Sequence, residues 1–172
     1  MIELYIPGIP APKGSMKAVP TPRGPRLKND NAKTAPWMSA VAWAARVAMQ
    51  GRERFEGVPL SVEMVLAMPR PSSHYGKRGL LKSAPVAPMT KPDIDKLERA
   101  VWDALEGIVF DNDSRIVESA TRQIYVGPEH SPGAWIVVRE FWDGERRYRD
   151  AALRYRMVAE GLVYPGAAAN AS

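Results

Sequence analysis

Apolar and polar side chains alternate with the two-residue period of a β-strand in four stretches of the chain. Residues 3–6, 58–69, 116–126 and 134–142 carry this pattern, and the second stretch is apolar on both faces. A strand that is apolar on both faces is typical of the centre of a covered sheet. Residues 127–133 are rich in glycine and proline, so we expect the last two strands to form a hairpin.

Three other segments repeat their apolar residues with the period of an α-helix. In residues 34–50, Thr34 is placed to cap the helix and Gly51 to end it. In the second segment, residues 93–107, Asp93 is a possible cap and Gly107 is placed to end the helix. The apolar repeat comprises Ile94, Leu97, Val101, Leu105 and, just beyond this stop, Ile108, and it predicts one buried face. The arginine-rich residues 144–161 predict a third helix. The order β-α-β-α-β-β-α predicts a mixed α+β domain, with helices packed on a sheet of about four strands.

Two segments rich in proline, glycine and basic residues interrupt this periodic pattern. They span residues 7–33 and 69–90, and we expect both to be irregular loops. Loops of this length in a compact domain are usually functional or disordered. We expect residues 1–163 to form a single domain, which suits a chain of 172 residues, and residues 164–172 to form a disordered tail.

Positive charge is concentrated around a short acidic centre. The net charge is +5, and residues 1–33 and 70–96 each hold six lysines or arginines against two acids. Residues 106–118 reverse this balance, with four acids against Arg115. Cationic loops around clustered carboxylates suit a polyanion that is held by Lys and Arg while Asp holds a metal ion. Loops that are merely solvated would carry the same charges.

Composition excludes several other classes of protein. The chain has no cysteine, and its two histidines, His74 and His130, are far apart, which excludes disulfides and a histidine-based zinc site. The first residues lack the pattern of a secretory signal, and no apolar run is long enough to span a bilayer. We therefore expect a cytoplasmic protein without membrane association.

Three aspartates near the second predicted helix are candidate ligands for a divalent metal ion. Asp93 and Asp95 lie at its entrance, and Asp113 lies in the following turn. Carboxylate oxygens are the preferred ligands of Mg²⁺, and the bound ion neutralises a scissile phosphate and activates water. Arg99 and Asp103 follow Asp95 at intervals of four residues and extend a polar stripe beside the buried face. From spacing alone, a capped helix with an acidic turn explains the same residues.

Residues 91–114 resemble the RusA family of Holliday-junction (crossover-junction) endodeoxyribonucleases. The family pattern combines a basic residue, proline and Asp-x-Asp with Asp-x-Leu-x-Gly and an acidic turn. The matching residues here are Lys91, Pro92, Asp93, Ile94, Asp95, Leu97, Asp103, Leu105, Gly107, Asp113 and Ser114. Residues 71–75 resemble, more weakly, a loop of phage-borne members. The chain departs from the pattern at Lys96, Arg99, Asn112 and Arg115, where Asn, Lys, Asp and Gln are common.

The resemblance implies a similar mixed fold, a symmetric homodimer and a Mg²⁺-dependent nuclease, with Mn²⁺ as a substitute. Such an enzyme resolves four-way DNA junctions by paired strand cleavage during recombination and repair. The resemblance implies catalytic and metal-binding roles for Asp93, Asp95 and Asp113, and a supporting catalytic role for Arg99. Basic residues of the two loops and of the helix entrance are predicted to contact the branched DNA, namely Lys13, Lys17, Arg23, Arg26, Lys77, Arg78, Lys91 and Lys96.

Two other hypotheses follow from the same residues. A relative that binds branched DNA without cutting it is favoured by Arg99, because an arginine keeps its charge and cannot exchange a proton as a lysine does. A nuclease of the PD-(D/E)xK class is indicated by Pro92 and Asp93. That motif needs a downstream lysine, and the chain has none after Lys96.

Overall fold

The computed structural model describes residues 1–14, 16–20, 22, 24, 26–29 and 31–141. The strands are β1 (Ile2–Pro7), β2 (Met16–Val19), β3 (Arg26–Asn29), β4 (Leu60–Pro69), β5 (Tyr75–Gly76), β6 (Gly79–Leu80), β7 (Ile116–Val126) and β8 (Gly133–Glu140). The α-helices are α1 (Thr34–Ala48) and α2 (Ile94–Leu105), and short 3₁₀ helices cover Ser72–His74 and Asp113–Arg115. This is the mixed α+β fold that the periodic pattern predicts.

A four-stranded sheet in the order β1-β8-β4-β7 forms the centre of the fold. Strand β4 pairs parallel with β7 and antiparallel with β8, and β8 also pairs antiparallel with β1. Residues of β4 are buried on both faces up to Met68, as expected for a central strand. Helix α2 connects β4 to the parallel β7, which is the usual way to join parallel neighbours.

The predicted hairpin between the last two strands is wrong, because β4 lies between β7 and β8. The burial of the two strands gives the physical reason. In β8, the run from Gly133 to Val138 is buried on both faces, whereas β7 is half-exposed along most of its length. A strand buried on both faces is more stable between two partners, and the strand with exposed positions takes the edge.

Both described helices cover one face of the sheet and contact each other. The shared core contains Trp37, Val41 and Ala45 of α1, Leu97, Val101 and Leu105 of α2, and Val62, Met64 and Leu66 of β4. The predicted buried face of α2 is confirmed at Leu97, Val101 and Leu105, whereas Ile94 is 39% exposed and Ile108 is half-buried beyond the end of the helix. Gly107 ends this helical region with a positive φ of 75°, which a residue without a Cβ adopts freely.

The N-terminus of α1 differs from the sequence expectation. Lys33 occupies the cap position without a side-chain hydrogen bond, and Thr34 does not cap the helix. The buried Thr34 hydroxyl instead donates to the carbonyl of Pro12 at 2.7 Å. This bond ties the segment after β1 to the start of α1.

The opposite face of the sheet carries a second, smaller apolar cluster of buried residues, namely Val65, Ala67, Val126, Trp135 and Val137. The buried carboxylate of Glu63 forms an ion pair with Arg139 on the same face. The third predicted helix, residues 144–161, and the predicted tail, residues 164–172, lie outside the described residues.

Both segments expected to be irregular contain short pairs of strands. Strands β2 and β3 form an antiparallel ribbon within residues 7–33, and β5 and β6 form another within residues 69–90. Neither ribbon has a clear alternation of apolar and polar residues, so the sequence pattern does not reveal it. Among the described residues, no helix combines the length and apolar character needed to cross a membrane.

Candidate active site

A cleft of about 540 Å³ opens between the segment after β1 and the entrance of α2. Asp93 is the acid among its lining residues, and four lysines line it as well, namely Lys13, Lys33, Lys91 and Lys96. The remaining lining residues are Ile9, Pro10, Ala11, Pro12, Gly14, Asn31, Met68 and Pro92. The cleft is therefore lined by one carboxylate and four ammonium groups.

Backbone contacts hold the two walls of this cleft together. The Lys13 N–H donates to the carbonyl of Lys96 at 2.8 Å, so the segment after β1 is fixed to the first turn of α2. The Gln123 side-chain amide of β7 donates to the carbonyl of Pro92 at 3.2 Å. Asp93 is extended at the cap position, and the helix begins at the next residue.

Asp93 forms an ion pair with Lys96, with 2.8 Å between Oδ2 and Nζ. The hydrogen bond from Lys96 is the main cause that lowers the pKa of Asp93 below its ordinary value, and the charges of Lys96 and Lys91 act in the same direction. Both side chains are 46% exposed, so the pair contributes little to the stability of the fold. Its consequence for chemistry is a carboxylate that stays ionised in a solvent-accessible position.

Asp95 and Arg99 lie on the exposed surface of α2, one helical turn apart. Within the described part of the chain, neither side chain has a hydrogen bond or ion pair. Asp103 continues the same stripe, but its carboxylate pairs with Lys13 of the segment after β1 rather than with Arg99. Asp95 and Arg99 are therefore both accessible to a ligand.

Asp113 begins the 3₁₀ turn between α2 and β7, and its side chain is exposed. The Asn112 side-chain oxygen caps this turn by accepting from the Ser114 N–H at 2.9 Å. Arg115 donates from Nη2 at 3.0 Å and from Nε at 3.3 Å to the carboxylate of Asp111. This bond lowers the pKa of Asp111 and raises the pKa of Arg115.

The direction of α2 relative to β7 indicates which part of the helix lies near Asp113. Helix α2 runs antiparallel to β7, because Gln123 contacts Pro92 while Ser119 donates to Glu98 at 3.0 Å. Asp113 precedes β7, so it lies toward the C-terminal half of α2. Across the described ranges, no three His, Asp or Glu side chains are grouped so that they could hold a metal ion. The three-aspartate metal site stays a prediction.

The predicted DNA-contacting residues fall into three places. Lys13, Lys91 and Lys96 line the cleft together with Lys33, which the sequence reasoning missed because it directly precedes α1 and belongs to no motif. Lys77 and Arg78 form the turn between β5 and β6. Lys17 and Arg26 lie in β2 and β3, whereas Arg23 lies outside the described residues.

A family model matches most of the chain, including the residues described above. The family model for the endodeoxyribonuclease RusA matches residues 7–139, which includes the cleft, α2 and the Asp113 turn. The chain belongs to the RusA endodeoxyribonuclease family. The RusA match extends well beyond the 91–114 segment that carries the motif. An uncharacterized protein, YqaN of Bacillus subtilis (strain 168), is 29% identical over 107 residues, which cover 57% of this chain and 70% of YqaN.

RusA nucleases depend in general on a divalent metal ion, and the donor chemistry at the α2 entrance fits such an ion. Mg²⁺ prefers carboxylate oxygens and is commonly held by one or two carboxylates, with water in its other positions. Asp93 is ionised and exposed, and Asp95 follows it in the first turn with an accessible carboxylate. Within the described residues, these two carboxylates lie at the α2 entrance, where they would be available to such an ion.

Proposed function

We propose that this protein is a Mg²⁺-dependent endodeoxyribonuclease that resolves four-way DNA junctions by paired strand cleavage during recombination and repair, with Mn²⁺ as a substitute. The observation that carries the proposal is the ionised Asp93 in a cleft lined by four lysines, in a chain of the RusA family. A carboxylate inside a cationic cleft suits a metal ion and a DNA phosphate at the same place.

The residues of the cleft would have different roles in phosphodiester hydrolysis. When bound, the metal ion would neutralise the scissile phosphate and lower the pKa of a water molecule. Asp93 and Asp95 would hold the ion. Lys13, Lys33 and Lys91 would hold the DNA backbone on either side of the scissile phosphate, because ammonium groups bind phosphates independently of sequence.

We assign Asp113 to the same reaction on the basis of the family pattern, as a third carboxylate. Its position toward the other end of α2 supports a contribution distinct from that of the Asp93 and Asp95 pair. We therefore expect Asp113 to differ from Asp93 and Asp95 in its effect on metal binding. Loss of Asp93 or Asp95 should weaken metal binding directly, whereas loss of Asp113 should reduce cleavage with a smaller effect on metal affinity.

A second candidate is a protein that binds branched DNA without cutting it. Two observations favour it: Arg99 replaces the common lysine, and the three aspartates do not form one group in the described structure. The lysine-lined cleft would serve binding equally well. This candidate predicts tight junction binding and no cleavage with either Mg²⁺ or Mn²⁺.

The test compares Asp93→Asn, Asp95→Asn and Asp113→Asn with the parent on a synthetic four-way junction. We expect the parent to cut in Mg²⁺ and not in EDTA. Asp93→Asn and Asp95→Asn should each lose roughly a hundredfold or more in rate, because a metal ion supplies several kcal/mol of charge stabilisation. Asp113→Asn should also lose cleavage, through its own contribution to the reaction. Junction binding without metal should be kept or improved, because a negative charge facing phosphate is removed.

Glu106→Gln is the matched control, since it removes the charge of an exposed acid just after α2. We expect it to cut at the parent rate. Full Mg²⁺-dependent cleavage by all three aspartate variants would contradict the carboxylate mechanism. A parent protein that binds junctions but cuts none of them in Mg²⁺ or Mn²⁺ would instead support the non-catalytic candidate.

A further inference from the structure

Residues 70–92, which we name the basic–apolar loop, expose large hydrophobic side chains to solvent. Val86 is 93% exposed, Met89 78%, Leu80 55% and Leu81 42%. Soluble proteins expose single apolar residues routinely, but several within one short loop mark a contact surface. These four side chains account for a large share of the exposed large hydrophobic residues in the described chain.

The charge of the basic–apolar loop identifies its partner as a polyanion. The loop contains five cationic residues and no aspartate or glutamate, and the cations are Arg70, Lys77, Arg78, Lys82 and Lys91. A second copy of this chain, with a net charge of +5, would be a poor match for such a surface. A DNA backbone offers the complementary charge, and DNA bases offer apolar faces for the hydrophobic side chains.

Contacts at its base hold the basic–apolar loop in a defined position. The Arg70 guanidinium lies 4.5 Å above the ring of Tyr125, and its Nη1 donates to the carbonyl of Pro85 at 2.8 Å. The ring of His74 meets the same tyrosine edge-on, with 5.4 Å between the ring centroids. Strand β7 thus anchors the start of the loop, while the side chains of Val86 and Met89 stay exposed to solvent.

The chain leads from this surface directly into the cleft. Met89 is 78% exposed and lies two residues before Lys91, which lines the cleft with Asp93. Because only Thr90 separates Met89 from Lys91, an exposed apolar side chain of the loop lies within a few residues of the cleft lining.

We propose that the basic–apolar loop inserts Val86 and Met89 against unstacked bases at the branch point of a junction, while Lys77 and Arg78 hold flanking phosphates. Apolar side chains that enter a base step must unstack it, at a cost of a few kcal/mol in a continuous duplex. Stacking is already interrupted at a branch point, so insertion is easier there. The loop thereby favours branched over linear DNA. This inference rests on the proposed action on DNA junctions.

The test uses junctions and linear duplexes that carry 2-aminopurine, whose fluorescence rises when it is unstacked. With EDTA present to prevent cleavage, we expect the parent to raise the fluorescence of a probe at the branch point but not in the duplex. The double variant Val86→Ser/Met89→Ser should abolish this rise and lose roughly tenfold in junction affinity, while its duplex affinity stays unchanged.

Two further variants separate the apolar contribution from charge and from general surface effects. Lys77→Gln/Arg78→Gln should weaken binding to junction and duplex alike, because phosphate contacts are independent of structure at the branch. Val47→Ser, on the exposed side of α1, removes an apolar side chain that is 46% exposed, and it should match the parent in every measurement.

The outcomes distinguish this inference from the proposed function. If the parent prefers junctions and the Val86→Ser/Met89→Ser protein keeps the full fluorescence rise, the loop does not enter the branch point and the inference is wrong. If the parent shows no preference for junctions over duplex and cuts neither, the proposed function itself is wrong. All substituted side chains are exposed, so we expect circular dichroism to show a parent-like fold for each variant. Leu80→Ser, which also removes an exposed apolar side chain of the loop, serves as a second variant if the double variant does not fold.

Discussion

Arg99 stands where lysine is common in the RusA family, and its surroundings indicate what role an arginine takes there. The side chain is exposed on α2 and has no ion pair or hydrogen bond within the described residues. Asp103, one turn further along, is paired with Lys13 instead. Arg99 is therefore open to a phosphate, to which a guanidinium offers two parallel N–H donors and a fixed positive charge.

We expect Arg99 to stabilise negative charge that develops on the phosphate during cleavage. Arg99→Lys should keep substantial cleavage, and Arg99→Ala should lose roughly ten- to a thousandfold in rate, the range for removing one electrostatic interaction with the transition state. Junction affinity should fall far less than the rate. Single-turnover cleavage and equilibrium binding on the same junction measure the two effects, and Arg122→Ala, an exposed arginine of β7, is the control. Near-parent cleavage by Arg99→Ala would contradict this role. It would show that Arg99 is a surface charge that contributes only about tenths of a kcal/mol to the stability of the helix.

Arg115 is another departure from the family pattern, and the structure explains it locally. Its guanidinium binds Asp111 across one turn and holds the segment that carries Asp113. The pKa of Asp111 is lowered from 3.8, so the pair contributes fully above that pH and is lost only as the pH falls through the lowered value. The turn is therefore held in the same way at neutral pH, and the acid limb of any pH–rate profile between pH 5 and 7 does not come from this pair.

Elements with a long periodic pattern can be predicted from sequence, whereas their partners cannot. Strand β4 is apolar on both faces, and helix α2 has one continuous apolar face. The local sequence therefore predicts both that these elements form and that they are buried. The pairing of β8 with β1 and β4 depends on residues more than 60 positions apart, and the local pattern holds no information about it. The hairpin interpretation fails for that reason.

The sequence likewise predicts only the local part of the candidate site. Asp93, Asp95 and Arg99 lie within the first two turns of one helix, so their neighbourhood follows from local sequence. The opposite wall of the cleft depends on Thr34 binding the Pro12 carbonyl and on Lys13 binding the Lys96 carbonyl. Such backbone contacts have no residue signature, so no local pattern places Lys33 in the cleft.

The β2–β3 ribbon is the element whose charges are predicted to extend the DNA interface beyond the cleft. Lys17 and Arg26 lie in its strands, and Arg23 belongs to the same basic segment. Replacing all three by Gln should weaken junction binding and make the slope of log affinity against log salt shallower by up to about 2.7, at about 0.9 for each phosphate that is no longer neutralised. Fluorescence anisotropy over a salt series measures this slope.

A charge-matched control comes from three arginines at and after the end of α1, which are outside the predicted set of DNA-contacting residues. The triple variant Arg46→Gln/Arg52→Gln/Arg54→Gln removes the same charge from residues that do not line the cleft. It should change the slope far less, because only cations that displace condensed counterions enter it. Equal slopes for the two triple variants would show that the ribbon acts only through net charge.

At the scale of the whole molecule, the site geometry raises the question of how two strands are cut. The described part of one chain presents a lysine-lined cleft with an ionised aspartate, and a four-way junction must be cut in two strands of like polarity to be resolved. A twofold symmetric dimer places one such cleft on each of the two strands. We therefore expect a homodimer, with a mass of twice the 19.0 kDa chain by light scattering at micromolar concentration.

A dimer also predicts which DNA products form, and a measurement of mass does not test this prediction. On a supercoiled plasmid with an extruded cruciform, two active sites acting in one binding event produce linear DNA, whereas a single active site produces nicked circles. Mixing the parent with a large excess of Asp93→Asn, after subunits have exchanged, should shift the product from linear to nicked DNA, because most active chains then share a dimer with an inactive partner. An excess of Glu106→Gln should leave linear product unchanged. A protein that stays monomeric on the junction and yields the same products in both mixtures would contradict the dimer, because each chain would then cut independently of its neighbour.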